Sequence, residues 1–456
     1  MGLRNRSFLL LAGVGSLSVL LYLFNFGLAP LLRPLGIAGP SGGALAVYPY
    51  IFLLLFILYA VALRAILTKK SGPPLLGLIL GFALLFRIAL LFSPLVLSSD
   101  AYRYVWDGRV QMAGINPYLY PPSSQELAAL RDEEIFPHIN RPDARTIYPP
   151  GAHMFFAAQA VLFPDSVTAL KAILILFDIG TILLILRLLK KMDVRSDRVL
   201  LYAWSPLVIF EIAGSGHLEA LMVPFVLLAL LLRMGGNPAL AGTMLGMATL
   251  IKLYPAALFP ALYTRGDRRL PLAFGATILL GYLPYLAGAG GKVLGFLPDY
   301  FGPWEDFNVG LRYFLTLALT PLIPSPRLVA MICVTALLGV VALFIARKAE
   351  GKDFVWCAYL MVSAYLLLLP TSFHPWYLIW VLPFLCLYPT WGWLYLSGAI
   401  SLSYLTYVRE PAILPLAVRL VEFLPLYALL ALQAVHYLCA EARSDKALTL
   451  IMEKPS

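Results

Sequence analysis

Apolar residues along this chain arrive in long blocks rather than at the alternating or three-to-four-residue intervals of half-buried strands and helices. Blocks of about 20 residues, the length that crosses a bilayer core of roughly 30 Å, run at about 8 to 28, 45 to 67, 74 to 97, 167 to 189, 199 to 214, 217 to 232, 269 to 287, 327 to 346, 354 to 370, 376 to 390, 391 to 408 and 417 to 440. A helix that is apolar all round belongs in lipid or in a deep core. The pattern therefore predicts an all-α polytopic membrane protein, 1–456 forming one integral-membrane domain with about 12 transmembrane helices.

Two blocks break the rule. The segment 151–163 is too short to cross and predicts an interfacial or re-entrant helix. In "NPALAGTMLGMATLIKLYPAALFPALYTRGDRR", residues 237–269, one crossing would strand Arg265, Arg268 and Arg269 on the far side. Two half-length helices meeting near Ile251 and Lys252 avoid this and put a lysine at membrane depth, which lipid tolerates only beside protein or a water-filled cavity. Between the blocks, 98–166 and 288–326 are long, polar and rich in aromatics, and predict outer loops lying at the headgroup level.

Composition agrees: 61% hydrophobic and 13% charged residues, with a mean hydropathy of +0.84, exclude a soluble globule of this length. The net charge of +10 is explained by topology. With Arg4 and Arg6 inside, Lys69, Lys70, Lys190, Lys191, Arg195, Arg198, Arg265, Arg268, Arg269, Arg347, Lys348 and Lys352 also fall inside, and both termini are expected to be cytoplasmic. Nucleic acid is not an expected partner. The N-terminus has the charge-then-apolar order of a secretory signal without a convincing cleavage site, so an uncleaved first crossing is expected. Cys333, Cys357, Cys386 and Cys439 lie in or beside apolar blocks without CxxC spacing, and the histidines at 138, 153, 217, 374 and 436 show no zinc spacing. No disulfide framework or structural metal is predicted.

The densest polar chemistry is "SSDAYRYVWDGRVQMAGINPYLY", beginning at Ser98. Asp100 is the first charge after the third block. Ser98, Ser99 and Asp100 read as a helix start, with the helix running to about Met112. On it Asp100, Arg103, Tyr104 and Asp107 share a face, Arg103 and Asp107 being suited to a surface ion pair. Asp100 is either a simple cap or a catalytic carboxylate above the bilayer. Asn116-Pro117-Tyr118 and Tyr148-Pro149-Pro150 predict rigid turns, and Arg109 a loop-positioning contact.

That stretch, followed by "INRPDARTIYPPGAHMFFA", resembles the first external loop of the GT-C superfamily of integral-membrane glycosyltransferases, in particular the bacterial polyprenyl-phosphate-mannose-dependent alpha-mannosyltransferases. "YAWSPLVIFEIAGSGHLEAL", "IKLYP" and "HPWYLIWVLPF" carry the resemblance on, from about 85 to 385. It implies a GT-C-type bundle in a bacterial inner membrane with its active site on the outer face. The implied partners are a polyprenyl-phosphate sugar donor, a glycolipid or glycan acceptor and membrane lipid. The family's catalytic base corresponds to Asp100. Many relatives carry paired acids there; Ser99-Asp100-Ala101 leaves one, which weakens the case for a metal without closing it. No other cofactor is implied. The implied reaction is a single inverting displacement, in which cations should line the site of the leaving phosphate. Lys252, His374, Arg103 and Arg312 are the candidates. Lys252 could instead snorkel or pair with Asp178 or Glu211, and His374 could cap the helix that Pro375 begins. Tyr102, Asp107, Arg109, Asn116, Tyr118, His217, Glu219 and Trp376 are expected to hold sugar or acceptor, although His217 and Glu219, after "GSG", equally suit a self-satisfied turn. The sugar is expected to be mannose, with glucose, galactose or arabinose open. A transporter or flippase would also use broken helices and buried charge, but no matching broken segment occurs in a second half.

Overall fold

The computed structural model describes residues 3–24, 43–68, 73–302, 305–349, 353–369, 371–408 and 413–452. Lys69, Lys70 and Lys352 lie outside the described residues, as do the side chains of Arg4 and Cys439. Every regular element among the described residues is helical.

Helices α1 (Leu3–Phe24), α2 (Gly43–Thr68) and α3 (Pro73–Leu91) pack together, α1 against both others. Next comes the short pair α4 (Asp100–Met112) and α5 (Pro150–Leu162). Gly108 lets them cross closely, since a Cβ there would lie 2.6 Å from the Phe156 carbonyl oxygen. Helix α6 (Val167–Lys191) packs on α7 (Glu219–Met234), α7 on α8 (Pro238–Ile251), and α8 on α9 (Arg269–Ala289). The chain closes with α10 (Leu311–Leu319), α11 (Pro326–Lys348), α12 (Phe354–Leu367), α13 (Trp391–Ala399) and α14 (Leu416–Met452).

Among the described residues, six helices are long and apolar enough to cross a membrane: Arg6–Phe24, Val47–Thr68, Val167–Lys191, Arg269–Tyr300, Pro326–Lys348 and Leu416–His436. That is fewer than the about 12 expected, because apolar length does not guarantee an unbroken helix. Leu75–Leu91, Pro238–Ile251 and Phe354–Leu367 are apolar but short. The blocks at 199–214 and 217–232 meet at a 120° bend between Pro206–Gly214 and Glu219–Met234, built from a π-helical turn over Ile209–Gly214 and Gly216 at φ +74°. In 376–390 prolines remove the amides a helix needs, leaving a 3-10 turn over Pro375–Trp380 and a four-residue helix, Leu382–Leu385. The block at 391–408 is split between α13 and a 3-10 turn, Ile400–Val408.

One buried ion pair ties two of these helices together. Asp178 accepts from Arg87 Nε at 2.5 Å and from the Tyr202 hydroxyl at 2.5 Å, and Arg87 also donates to the Ala83 and Ala203 carbonyls. Asp178 is therefore a tie between α3 and α6, not the partner of Lys252.

Candidate active site

One cavity of about 650 Å³ gathers residues from four distant parts of the chain: Ser98 to Asp100, Asn140 to Pro149, Lys252 to Tyr254 and His374 to Tyr377. It is also lined by Phe296, Tyr300, Glu305 and Phe307 of the second long inter-block stretch.

Asp100 is the first residue of α4. Its amide donates to Ser98 Oγ at 3.2 Å, and Ser99 makes no side-chain cap. The carboxylate is free of capping work: Oδ1 accepts from Asn140 Nδ2 at 2.6 Å, and Oδ2 lies 3.8 Å from His217 Nδ1, with the side chain 15% exposed. It is a partly open acid with one strong donor and one histidine behind it.

Lys252 terminates α8. The helix stops at Ile251, Lys252 turns extended (φ −144°, ψ 143°), and a 3-10 turn over Tyr254–Leu258 follows, the helix break predicted at that point. Nζ donates to Glu219 Oε1 at 2.6 Å and sits 5.7 Å from the centre of the Tyr377 ring. Glu219 is fully buried and also accepts from Trp380 Nε1 at 3.2 Å. The partner of Lys252 is thus neither Asp178 nor Glu211. Glu211 accepts from the Tyr404 hydroxyl at 2.9 and 3.1 Å and lies 3.2 Å from His217 Nε2.

His374 precedes the 3-10 turn and makes no side-chain cap there. Its ring lies between Phe307 (centroids 4.8 Å) and Trp376 (4.4 Å), and Trp376 stacks in turn on His217 at 4.0 Å. Burial, followed by the charges of Lys252 and Arg141, pushes His374 down to about 3. At neutral pH it is an uncharged ring that offers an anion one N–H.

Asp100, Lys252, His374 and Trp376 of the expected set line the cavity. His217 and Glu219 are fully buried behind it. The remaining candidates lie elsewhere. Arg103 donates to Asp107 at 2.9 Å and to the Ala144 carbonyl, and the pair is buried, not at the surface. Tyr102 stacks on His138. Arg109 clamps Asp132, Asp165 and the Leu130 carbonyl. Burial opposes ionisation of Asp132, but hydrogen bonds from Arg109 and from the Phe136 and Ile135 amides outweigh it and hold the carboxyl at about 2. Asn116 donates to the Tyr285 carbonyl, and Tyr118 to that of Tyr148. Arg312 is buried and donates to the Glu305 carbonyl.

Residues not singled out from sequence complete the wall. Asn140 anchors Asp100. Arg141, held at φ +48°, donates to Glu305 at 2.6 and 3.2 Å and so joins two inter-block stretches across the cavity. Tyr300 and Tyr377 share a 2.7 Å hydrogen bond. Among the described residues no group of three or more histidine, cysteine or acidic side chains is set to hold a metal ion.

The aromatic-walled cavity brings together a carboxylate with no cation partner among the described residues, Asp100, two cations paired with Glu219 and Glu305, and a neutral histidine, a set able to take a proton and to receive an anion. A family model described as alpha-(1->6)-mannopyranosyltransferase, N-terminal domain, matches residues 29–264, just over half of the chain. No curated protein matches.

Proposed function

This chain belongs to the alpha-(1->6)-mannopyranosyltransferase family, and from that premise we propose that it moves mannose from a polyprenyl-phosphate donor to a glycolipid or glycan acceptor at the outer membrane face. The observation that carries the reading is the convergence of Asp100, Lys252, Arg141 and His374 on one cavity in a chain of membrane-length helices. Asp100 takes the proton of the acceptor hydroxyl while that oxygen bonds to the anomeric carbon. The bond from that carbon to the phosphate oxygen breaks, and its electron pair leaves with the phosphate. One displacement inverts the carbon, so an alpha-linked product requires a beta-linked donor. Lys252 and Arg141 stabilise the charge gathering on the phosphate, each exchanging part of its ion pair with Glu219 or Glu305 for the substrate. Leu45, Leu95, Leu97, Leu253, Leu297 and Leu369 give the cavity an apolar side suited to the lipid chain.

Reconstituted protein given radiolabelled polyprenyl-phosphate mannose and a membrane lipid extract tests this. Transfer by wild type and a loss of about 10²- to 10⁴-fold in folded Asp100→Asn, the range general bases contribute, is the expected result. Equal transfer by both would remove Asp100 from catalysis.

A further inference from the structure

Behind Asp100 lies a file of buried groups that the displacement itself does not use. His217 is fully buried; its Nδ1 is 3.8 Å from Asp100 Oδ2 and its Nε2 is 3.2 Å from Glu211 Oε2. Glu211, equally buried, accepts from the Tyr404 hydroxyl through both oxygens. Neither nitrogen of His217 makes a well-angled hydrogen bond. Two local features aim the ring: the π-turn that swings Glu211 inward and the glycine turn at Gly216 directly before it. Its stack on Trp376 fixes its plane.

We propose that His217 is a positioning residue for Asp100, in the tautomer that turns its Nε2 proton toward Glu211, 3.2 Å away, and a bare Nδ1 toward the carboxylate. A protonated Nδ1 would draw Asp100 in to about 2.8 Å, whereas a lone pair facing a carboxylate stands off, and 3.8 Å is a stand-off distance. When Asp100 has taken the acceptor's proton, its new O–H finds Nδ1 as a waiting acceptor, and the gap closes to a hydrogen bond. His217 thus favours the protonated acid and strengthens the base; the proton later leaves Asp100 to phosphate or cavity water. The other polar groups around Asp100 and His217 are Asn140, Tyr104, Tyr148, Tyr407, Lys252 with Glu219, and His374. All are retained in the variants used below.

The kinetic part of the test rests on the proposed mannosyl transfer. It compares the pH dependence of kcat/KM for wild type, Glu211→Gln and His217→Phe. With its oxygen accepting from the Tyr404 hydroxyl as Glu211 does, the glutamine turns its NH2 to Nε2 and puts the proton on Nδ1, toward Asp100; the acid limb should move to lower pH and the plateau fall about tenfold. Phenylalanine keeps the stack on Trp376 without a nitrogen and should move the limb the same way by less. Acid limbs that stay put in both variants, or move upward, overturn the proposal. A second measurement needs no substrate: nitrogen-15 spectra of histidine-labelled protein, with His217 assigned by its absence in His217→Phe. Bare Nδ1 and protonated Nε2 in wild type, reversed in Glu211→Gln, support the tautomer; a protonated Nδ1 in wild type overturns it. Absence of mannosyl transfer by wild type would count against the reaction proposed above while the spectra still decide the tautomer.

Discussion

At the scale of single residues, the cavity's two cations are already paired, and that shapes what substitutions do. Lys252→Met leaves Glu219 buried without its cation, a situation that costs about 3 to 5 kcal/mol. The variant should therefore unfold at lower temperature in detergent as well as lose transfer. Lys252→Met combined with Glu219→Gln removes the orphaned charge and should recover most of the thermal stability, while transfer stays down by about 10²-fold because the phosphate still lacks its cation. If the double variant recovers activity too, Lys252 is a structural partner of Glu219 and nothing more. His374 makes a different prediction. It is held at about 3 in the folded protein against about 6.5 when unfolded. Between those values the unfolded chain binds the proton and the folded chain does not, so stability is lost as pH falls through that window, by up to about 1.4 kcal/mol per pH unit. His374→Gln has no proton to take up, and its melting temperature should fall less steeply between about pH 6.5 and 4 than that of wild type.

At the scale of elements, α4 must approach α5 at Gly108, where a Cβ would meet the Phe156 carbonyl at 2.6 Å. Backbone cannot yield as a side-chain tip can. Gly108→Val should cost about 1 to 3 kcal/mol and, by tilting the helix whose first residue is Asp100, lower kcat more than it raises KM, as steady-state rates on the reconstituted protein would show. The close approach at Gly108 was not legible in the sequence, but two helix boundaries were. The helix from Asp100 to Met112 starts where the serines placed it, although Ser99 makes no side-chain cap, and the stop after Ile251 followed from arginines that could not be left beyond a single crossing, although a 3-10 turn and the four-residue helix Phe259–Leu262 stand where a second half-length helix was expected. The failures were of two physical kinds. Each apolar block was read as one helix even where Pro383 interrupts it, and among the described residues six unbroken helices are long enough to span, against the about 12 expected. Contacts between remote segments left no local trace: Lys252 to Glu219, Arg141 to Glu305 and Asn140 to Asp100 are set by tertiary packing. Asn140 and Arg141 lie in the stretch that carries the family resemblance and Glu305 in the aromatic-rich stretch 288–326, yet nothing in their spacing says that they meet.

At the scale of the whole molecule, the proposed chemistry constrains how the chain sits in its membrane. A lipid-linked donor and the basic residues expected inside, Lys190, Lys191, Arg195 and Arg198 among them, require the cavity wall at Asn140 to Pro149 to face outward and the connection after α6 to face inward. Asp143 and Asp193 are exposed reporters of those two surfaces. Cys333 is exposed and would confuse labelling, so the test starts from a cysteine-free background carrying Asp143→Cys or Asp193→Cys. A membrane-impermeant maleimide should label the first in intact cells and the second only after permeabilisation. The reverse pattern would put Asp100 on the side where nucleotide-linked sugars are available, and the argument for a lipid-linked donor would lose its footing even if the carboxylate proved to be the base. Labelling of both in intact cells would mean that the chain between them does not cross an odd number of times. That would place the fault in α6, the single helix between the two reporters long enough to span, and in the reading of α5 as a segment that only enters the interface.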